Sequence, residues 1–159
     1  MAPPSAVTIP VFYRIFFPSI DPLIALSGAY FALLDPNTTM SSMFPLTHPW
    51  ARINPSHTMF LQQLGGFFIA TIVLQVVLLR YTQDVNIWKI VQFSILINDY
   101  ALFHSLWVAL SAQKRLDFGK IRAEEWGTIG ITAFVTVARV LFLAGVGLGR
   151  KAGGSKKRN

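Results

Sequence analysis

The chain contains no cysteine and little charge: of its 159 residues, 13% are Asp, Glu, Lys or Arg. Without cysteine, disulfides, thiolate zinc sites and cysteine nucleophiles are excluded. Soluble domains carry about 25% charged residues, so roughly half the usual charge is missing. What remains clusters at the ends of apolar segments. The net charge of +7 invites a nucleic-acid reading, yet Arg150, Lys151, Lys156, Lys157 and Arg158 all stand in the last ten positions. No basic groove interleaved with aromatics is present, as a single-strand binder would need, so nucleic acid is not an expected partner. The N-terminus lacks the basic first region of a cleavable signal and carries Pro3, Pro4 and Pro10, so the first apolar segment is expected to stay.

What is abundant is apolar length, with 53% of residues hydrophobic. About 20 such residues cross a bilayer core of about 30 Å. Four stretches qualify: 11–34, 59–79, 87–112 and 126–149. The expected fold is an all-α membrane protein, a four-transmembrane-helix bundle in one domain over 1–149, with a basic tail at 150–159. Pro18 and Pro22 interrupt the first span, and Ser19-Ile20-Asp21-Pro22 reads as a capped helix start. Starting there would leave too few residues before Asp35-Pro36, so a single kinked helix is expected. The short turn at 82–86 predicts that spans two and three are neighbours. Gly65-Gly66, Gly127 with Gly130, and Gly145-Gly147-Gly149 mark places where helices can approach closely.

Four spans put both termini on one side. Arg14, Arg80, Lys89 and the tail outweigh Arg52, Lys114, Arg115, Lys120 and Arg122 on the other, which places the termini in the cytosol. Lys156-Lys157 stand fourth and third from the carboxyl end, the spacing of a di-lysine retrieval signal for endoplasmic-reticulum membrane proteins. A lipid-binding basic anchor is the alternative. Asn37-Thr38-Thr39 is a glycosylation sequon too close to the first span to be modified.

Charged groups at bilayer depth cost roughly 2.5–3.5 kcal/mol, so each asks for a partner or a function. Asp99 and Arg139 each lie about 13 residues, or about 20 Å, from the 113–125 connection. They can pair across spans three and four, either to hold registry or to tune Asp99 as an acid or base. His104 follows Asp99 by five residues, about 140° round the helix. It is a second proton-carrier candidate or a bundle histidine. Asp21 is a helix cap or a further site carboxylate. Gln62, Gln92, Asn98, Tyr100 and Trp107 are candidate substrate contacts around a polar third span. Glu124 and Glu125 suit a helix N-terminus. Trp50, Trp88, Trp107 and Trp126 fall near span ends, as in an aromatic belt, or could face a cation. His48, His57 and His104 lack metal-ligand spacing, no nucleophile elbow is present, and neither metal nor cofactor is expected.

Ile20-Asp21-Pro22, Gly28-Ala29-Tyr30, Asp99 with His104, Trp126-Gly127 and Arg139 with Gly145-Val146-Gly147 together resemble a group of small fungal membrane proteins with a domain of unknown function. The layout is also similar to the emopamil-binding and sigma-2-receptor superfamily, four- or five-helix reticulum proteins with a sterol-sized cavity lined by acids. These resemblances imply an isomerase or cyclase acting on a terpenoid, sterol or polyketide, with other biosynthetic enzymes as possible partners. A non-catalytic lipid-binding or scaffold protein is the alternative.

Overall fold

The computed structural model describes residues 7–150; Lys156-Lys157 and the rest of the tail lie outside them. Four helices are long and apolar enough to cross a membrane: α1 (Val11–Leu34), α3 (Pro55–Tyr81), α4 (Val85–Ala112) and α5 (Ala123–Leu143). A short helix, α2 (Pro36–Met43), follows α1. Only 22–33% of each span is buried within the chain, and residues such as Leu23, Ile90, Phe93 and Ile97 point outward. An outer surface of that kind suits acyl chains, not water.

Span α1 is continuous but not uniform. Its middle, Phe16–Ile20, is a π turn in which the Asp21 amide donates to the Phe16 carbonyl, five residues back. Pro22 has no N–H and cannot donate to the Pro18 carbonyl. Arg80 of α3 does so instead, from Nη2 at 3.0 Å, and also reaches Ser19 Oγ at 3.3 Å. In an unbroken α-helix Asp21 would sit about 80° away from Tyr13, and Ile20 would take the inner face. The extra residue of the wide turn reverses this. Asp21 is buried and Ile20 is exposed. The expected single helix is therefore present, with a π turn at its prolines, but Asp21 does not cap it.

Span α3 carries a second π turn at Leu74–Leu78, packed against the first. It keeps Thr71, Gln75 and Leu79, spaced by fours, on one buried face. The helix starts earlier than the apolar run, because Asn54 Oδ1 accepts from the His57 amide at 2.9 Å. Asp84 likewise starts α4 by accepting from the Asn86 amide at 2.8 Å. Asp35 starts α2, accepting from the Thr38 amide at 3.2 Å and hydroxyl at 2.6 Å.

Span α5 ends at Leu143, short of the expected 149. Gly145 (φ 83°) takes a left-handed conformation. Its amide bonds the Phe142 carbonyl and the Val146 amide bonds Leu141, which is a Schellman terminus. The glycine run therefore stops a helix and is not a packing stripe. Beyond it, Gly149 and Arg150 pair with Thr8 and Val7 in a two-residue antiparallel bridge, β1–β2.

The spans pack as two pairs. α1 lies against α3, and α4 against α5; the expected pairing of spans two and three is not the main contact. A Cβ on Gly65 would stand 2.7 Å from Leu33 Cδ2, and one on Gly28 3.1 Å from Phe68, so these two glycines set the α1–α3 approach. Gly66, Gly127 and Gly130 face open space. At the end bearing the chain termini the pairs are sealed by aromatics. Phe142 meets Tyr13 and Phe17 at 5.0 and 5.4 Å, and Phe16 meets Phe134 at 5.5 Å. Trp88 belongs to this core and not to an interfacial belt, with its Nε1 donating to the Thr82 carbonyl at 2.8 Å. Towards the other end, where the 35–54 and 113–122 connections lie, the pairs part.

Candidate functional site

The polar centre is built on Arg139 of α5. Thr132, Thr136 and Arg139 recur at helical spacing on the face turned towards the other spans. Arg139 Nη2 donates to Asp21 Oδ2 at 2.6 Å, and Nη1 donates to Asp99 Oδ2. Thr136 Oγ1 donates to the same Asp99 oxygen at 3.3 Å. Gln75 Nε2 donates to Asp21 Oδ2. One guanidinium thus joins carboxylates from α1 and α4, and α3 supplies an amide to the first of them. All four spans contribute. Asp21, Gln75, Asp99 and Arg139 are all buried.

The electrostatics follow from counting. Burying an isolated charge is far costlier than burying a well-bonded pair, and Arg139 lets two acids enter the bundle. One carboxylate remains in excess of the cation. The bonds described to the two acids all go to Oδ2, and the buried Arg139 Nε has no hydrogen-bond partner. The cluster therefore keeps unused acceptor and donor capacity.

Asp21, Gln75, Asp99 and Arg139 line a cavity of about 440 Å³ between the two helix pairs. Asp21, Gln75, Asn98, Asp99 and Arg139 form its polar end, while Ile24, Phe31, Phe68, Leu102 and Ile131 make much of the remaining wall. Volumes of about 300–1,000 Å³ with mostly apolar lining and a few convergent polar groups are typical of small-molecule sites.

The short helix α2 covers the far end, where Thr38, Thr39, Ser42 and Met43 line the cavity. Arg122 Nη2 donates to the Ser41 carbonyl at 2.8 Å and Gln113 Nε2 to Met43 at 3.2 Å. Glu125, fully buried, holds the 113–122 connection. It accepts from Arg115 at 2.8 and 2.9 Å, and from Arg122 Nε at 3.0 Å and amide at 2.8 Å. Its role exceeds the dipole complement expected of an acid in a first turn. In the 113–122 connection, Lys120 Nζ stands 2.6 Å from Asp117 Oδ2 and holds that carboxyl below its ordinary range.

Of the residues singled out in the sequence, Asp21, Asn98, Asp99 and Arg139 come together at the cavity. His104, Tyr100, Trp107 and Gln62 do not; all four are exposed on the outer surface. His104 sits 6.0 Å from the Trp107 ring, for the reason its position already implied: five residues past Asp99 is the wrong side of the helix. Gln92 is fully buried, its side-chain amide unpartnered, but it is not part of the cavity wall. The aromatics that do face the cavity are Phe31 and Phe68, not tryptophans. Gln75, legible in the sequence with Gln62 and Gln63 as a possible cavity residue, does line the cavity; that it and Thr136 bond the acids was not legible. Their spacing was visible, Gln75 four residues after Thr71 and Thr136 three before Arg139, but not the π turns that aim Asp21 and Gln75. Among the described residues no three His, Asp or Glu side chains form a metal-holding group.

Fold and site define a class: an all-α membrane protein with four spans, a mid-bundle Asp–Arg–Asp cluster and a cavity beside it. Residues 6–149 match the family described as a domain of unknown function (DUF7704), and the chain belongs to that family. Comparison with curated proteins and with solved structures returns no match.

Proposed function

We propose that the protein is an endoplasmic-reticulum membrane isomerase or cyclase acting on an apolar terpenoid, sterol or polyketide intermediate by acid–base chemistry. The observation that carries this reading is the meeting of two carboxylates at one guanidinium on the wall of an apolar cavity within the membrane. One carboxyl group, protonated, delivers its proton to one end of a double bond. The other carboxylate removes a proton from the carbon beyond the cationic end, whose C–H electron pair forms the new bond, and the double bond moves by one position. The proton has passed from one acid to the other, and exchange between them restores the start. Arg139 positions both acids and stabilises whichever is ionised. Asp99 and Asp21 are the reacting groups in this scheme, and His104, on the outer surface, has no part in it.

Resemblance to small fungal membrane proteins and to the emopamil-binding and sigma-2-receptor layout supports the substrate class. The reticulum is the compartment the same resemblance implies, and the cation bias favours cytosolic termini. The test is the product profile of a deletion strain complemented with wild type, Asp99→Asn or Asp21→Asn at matched protein level. Loss of one product with build-up of its precursor in both variants is expected; an unchanged profile removes the catalytic reading. In that event the second reading, a non-catalytic lipid-binding or scaffold protein, is favoured by the mostly apolar lining of the cavity.

A further inference from the structure

The cavity beside the Asp–Arg–Asp cluster is obstructed at both ends of the bundle. Towards the chain termini Phe142 packs against Tyr13 and Phe17. At the other end α2 is tied down through its Ser41 and Met43 carbonyls by Arg122 and Gln113.

Its sides are not alike. Every wall residue from α3 and α4, such as Leu64, Thr71 and Leu102, is buried or half-buried. The exposed wall residues are Ser27 and Phe31 on α1, Gly127 and Ile131 on α5, and Thr38 and Glu124 beside α2. Phe31 is 39% and Ile131 53% exposed, although both line the cavity.

Span α5 shows where this opening stops. Gly127, Ile131 and Phe134 follow one another at spacings of four and three, along one edge of the helix. Phe134 turns that edge towards α1, where its ring meets Phe16 at 5.5 Å. The edge runs on past this contact to Ile131 and Gly127. There no side-chain hydrogen bond or aromatic pair joins α1 to α5 among the described residues; the Asp21–Arg139 bond lies on the other side of Phe134. A Cβ on Gly127 would meet nothing within 4 Å. In a bundle that spans a membrane such a slit gives onto acyl chains.

We propose that the slit between α1 and α5 is a lateral portal through which uncharged, membrane-partitioned molecules pass between the bilayer core and the cavity, with Ser27 and Gly127 as the small residues of its lips. The route is the same whether the occupant reacts at Asp21 and Asp99 or is only held, so the portal stands apart from the acid–base reading.

The chain has no cysteine, so one introduced thiol reports on the route. Thr71→Cys puts it on the α3 wall, at a buried position that lines the cavity. The full chain in lipid vesicles is treated with phenylmercuric chloride, which dissolves in the bilayer, or with charged p-chloromercuribenzenesulfonate, which stays in water. Each replaces the thiol proton with a sulfur–mercury bond. The first reagent is expected to modify Thr71→Cys about tenfold faster than the second. Adding Ser27→Trp or Gly127→Trp should slow the first reagent about tenfold. Val137→Trp, at an exposed position of α5 outside the cavity wall, should leave the rate unchanged. Thermal midpoints show which variants fold, and either lip variant that does is sufficient. Equal rates for the two reagents, no modification before unfolding, or an unchanged rate in the folded lip variants overturns the proposal. Slowed labelling in those variants, together with an unchanged product profile in Asp99→Asn, supports the portal and removes only the acid–base reading.

Discussion

Arg80 Nη2 donates to the Pro18 carbonyl at 3.0 Å, joining two spans at the point where Pro22 leaves the helix ladder incomplete. Pro18 is buried, so its carbonyl depends on that side chain for a partner. The Arg80 side chain thereby stabilises the π turn, and the π turn in turn places Asp21.

Replacing Arg80 with Ala should destabilise the bundle by about 1–3 kcal/mol, the usual cost of an unsatisfied buried polar group. Arg80→Lys should recover part of the loss. Thermal unfolding in detergent reads both. Equal midpoints for wild type and Arg80→Ala would show that the carbonyl finds another donor.

Arg139→Ala leaves two acids without their common partner and should cost about 3–5 kcal/mol. Asp21→Asn and Asp99→Asn, added to that change, should each restore part of the stability by removing an uncompensated charge. A cycle in which the three changes simply add would show that the cluster is not coupled.

Two neighbouring glycines give a paired test of helix approach. Gly65→Ala should lower the midpoint, because a Cβ there meets Leu33. Gly66 has open space around it, so Gly66→Ala should be neutral or raise stability by about 0.5–1 kcal/mol through backbone entropy. The reverse order would mean that α1 and α3 do not meet at Gly65.

Lys114 ends α4 at φ 55°, with its amide on the Ser111 carbonyl and the Arg115 amide on Leu110. This is a Schellman terminus with a side chain where glycine is preferred. Lys114→Gly should stabilise by about 1 kcal/mol, since the left-handed penalty is relieved. Chemical denaturation measures it, and a loss of stability would show that the lysine side chain makes a contribution larger than the strain.

Asp117 is fully exposed and its carboxyl is held low by Lys120. A depressed folded-state pKa adds stability above the unfolded value and loses it as pH falls through the folded one. For a screened surface pair that effect should be small. Asp117→Asn should leave the midpoint unchanged at neutral pH, while a large drop would reveal a structural role for this connection.

The amino-acid sequence by itself determined that four helices cross the membrane, because apolar length against bilayer thickness is a local property. It also determined that Asp99 and Arg139 stand at one depth, since helical rise is constant and each could be counted from the same connection. Residue spacing on one helix was equally legible: His104 could not share a face with Asp99, and the structure puts it outside. Only the tertiary structure decided that Asp21 joins them. A π turn shifts every following side chain by about 100°, and the second such turn, at Leu74–Leu78, contains neither proline nor glycine to announce it. Which spans pair was also decided in three dimensions, by the fit of Leu33 over Gly65 and not by the shortness of the 82–84 turn. Acid–cation contact across 118 residues of chain, Asp21 to Arg139, depends on four helices closing around one side chain, and no local pattern encodes that closure.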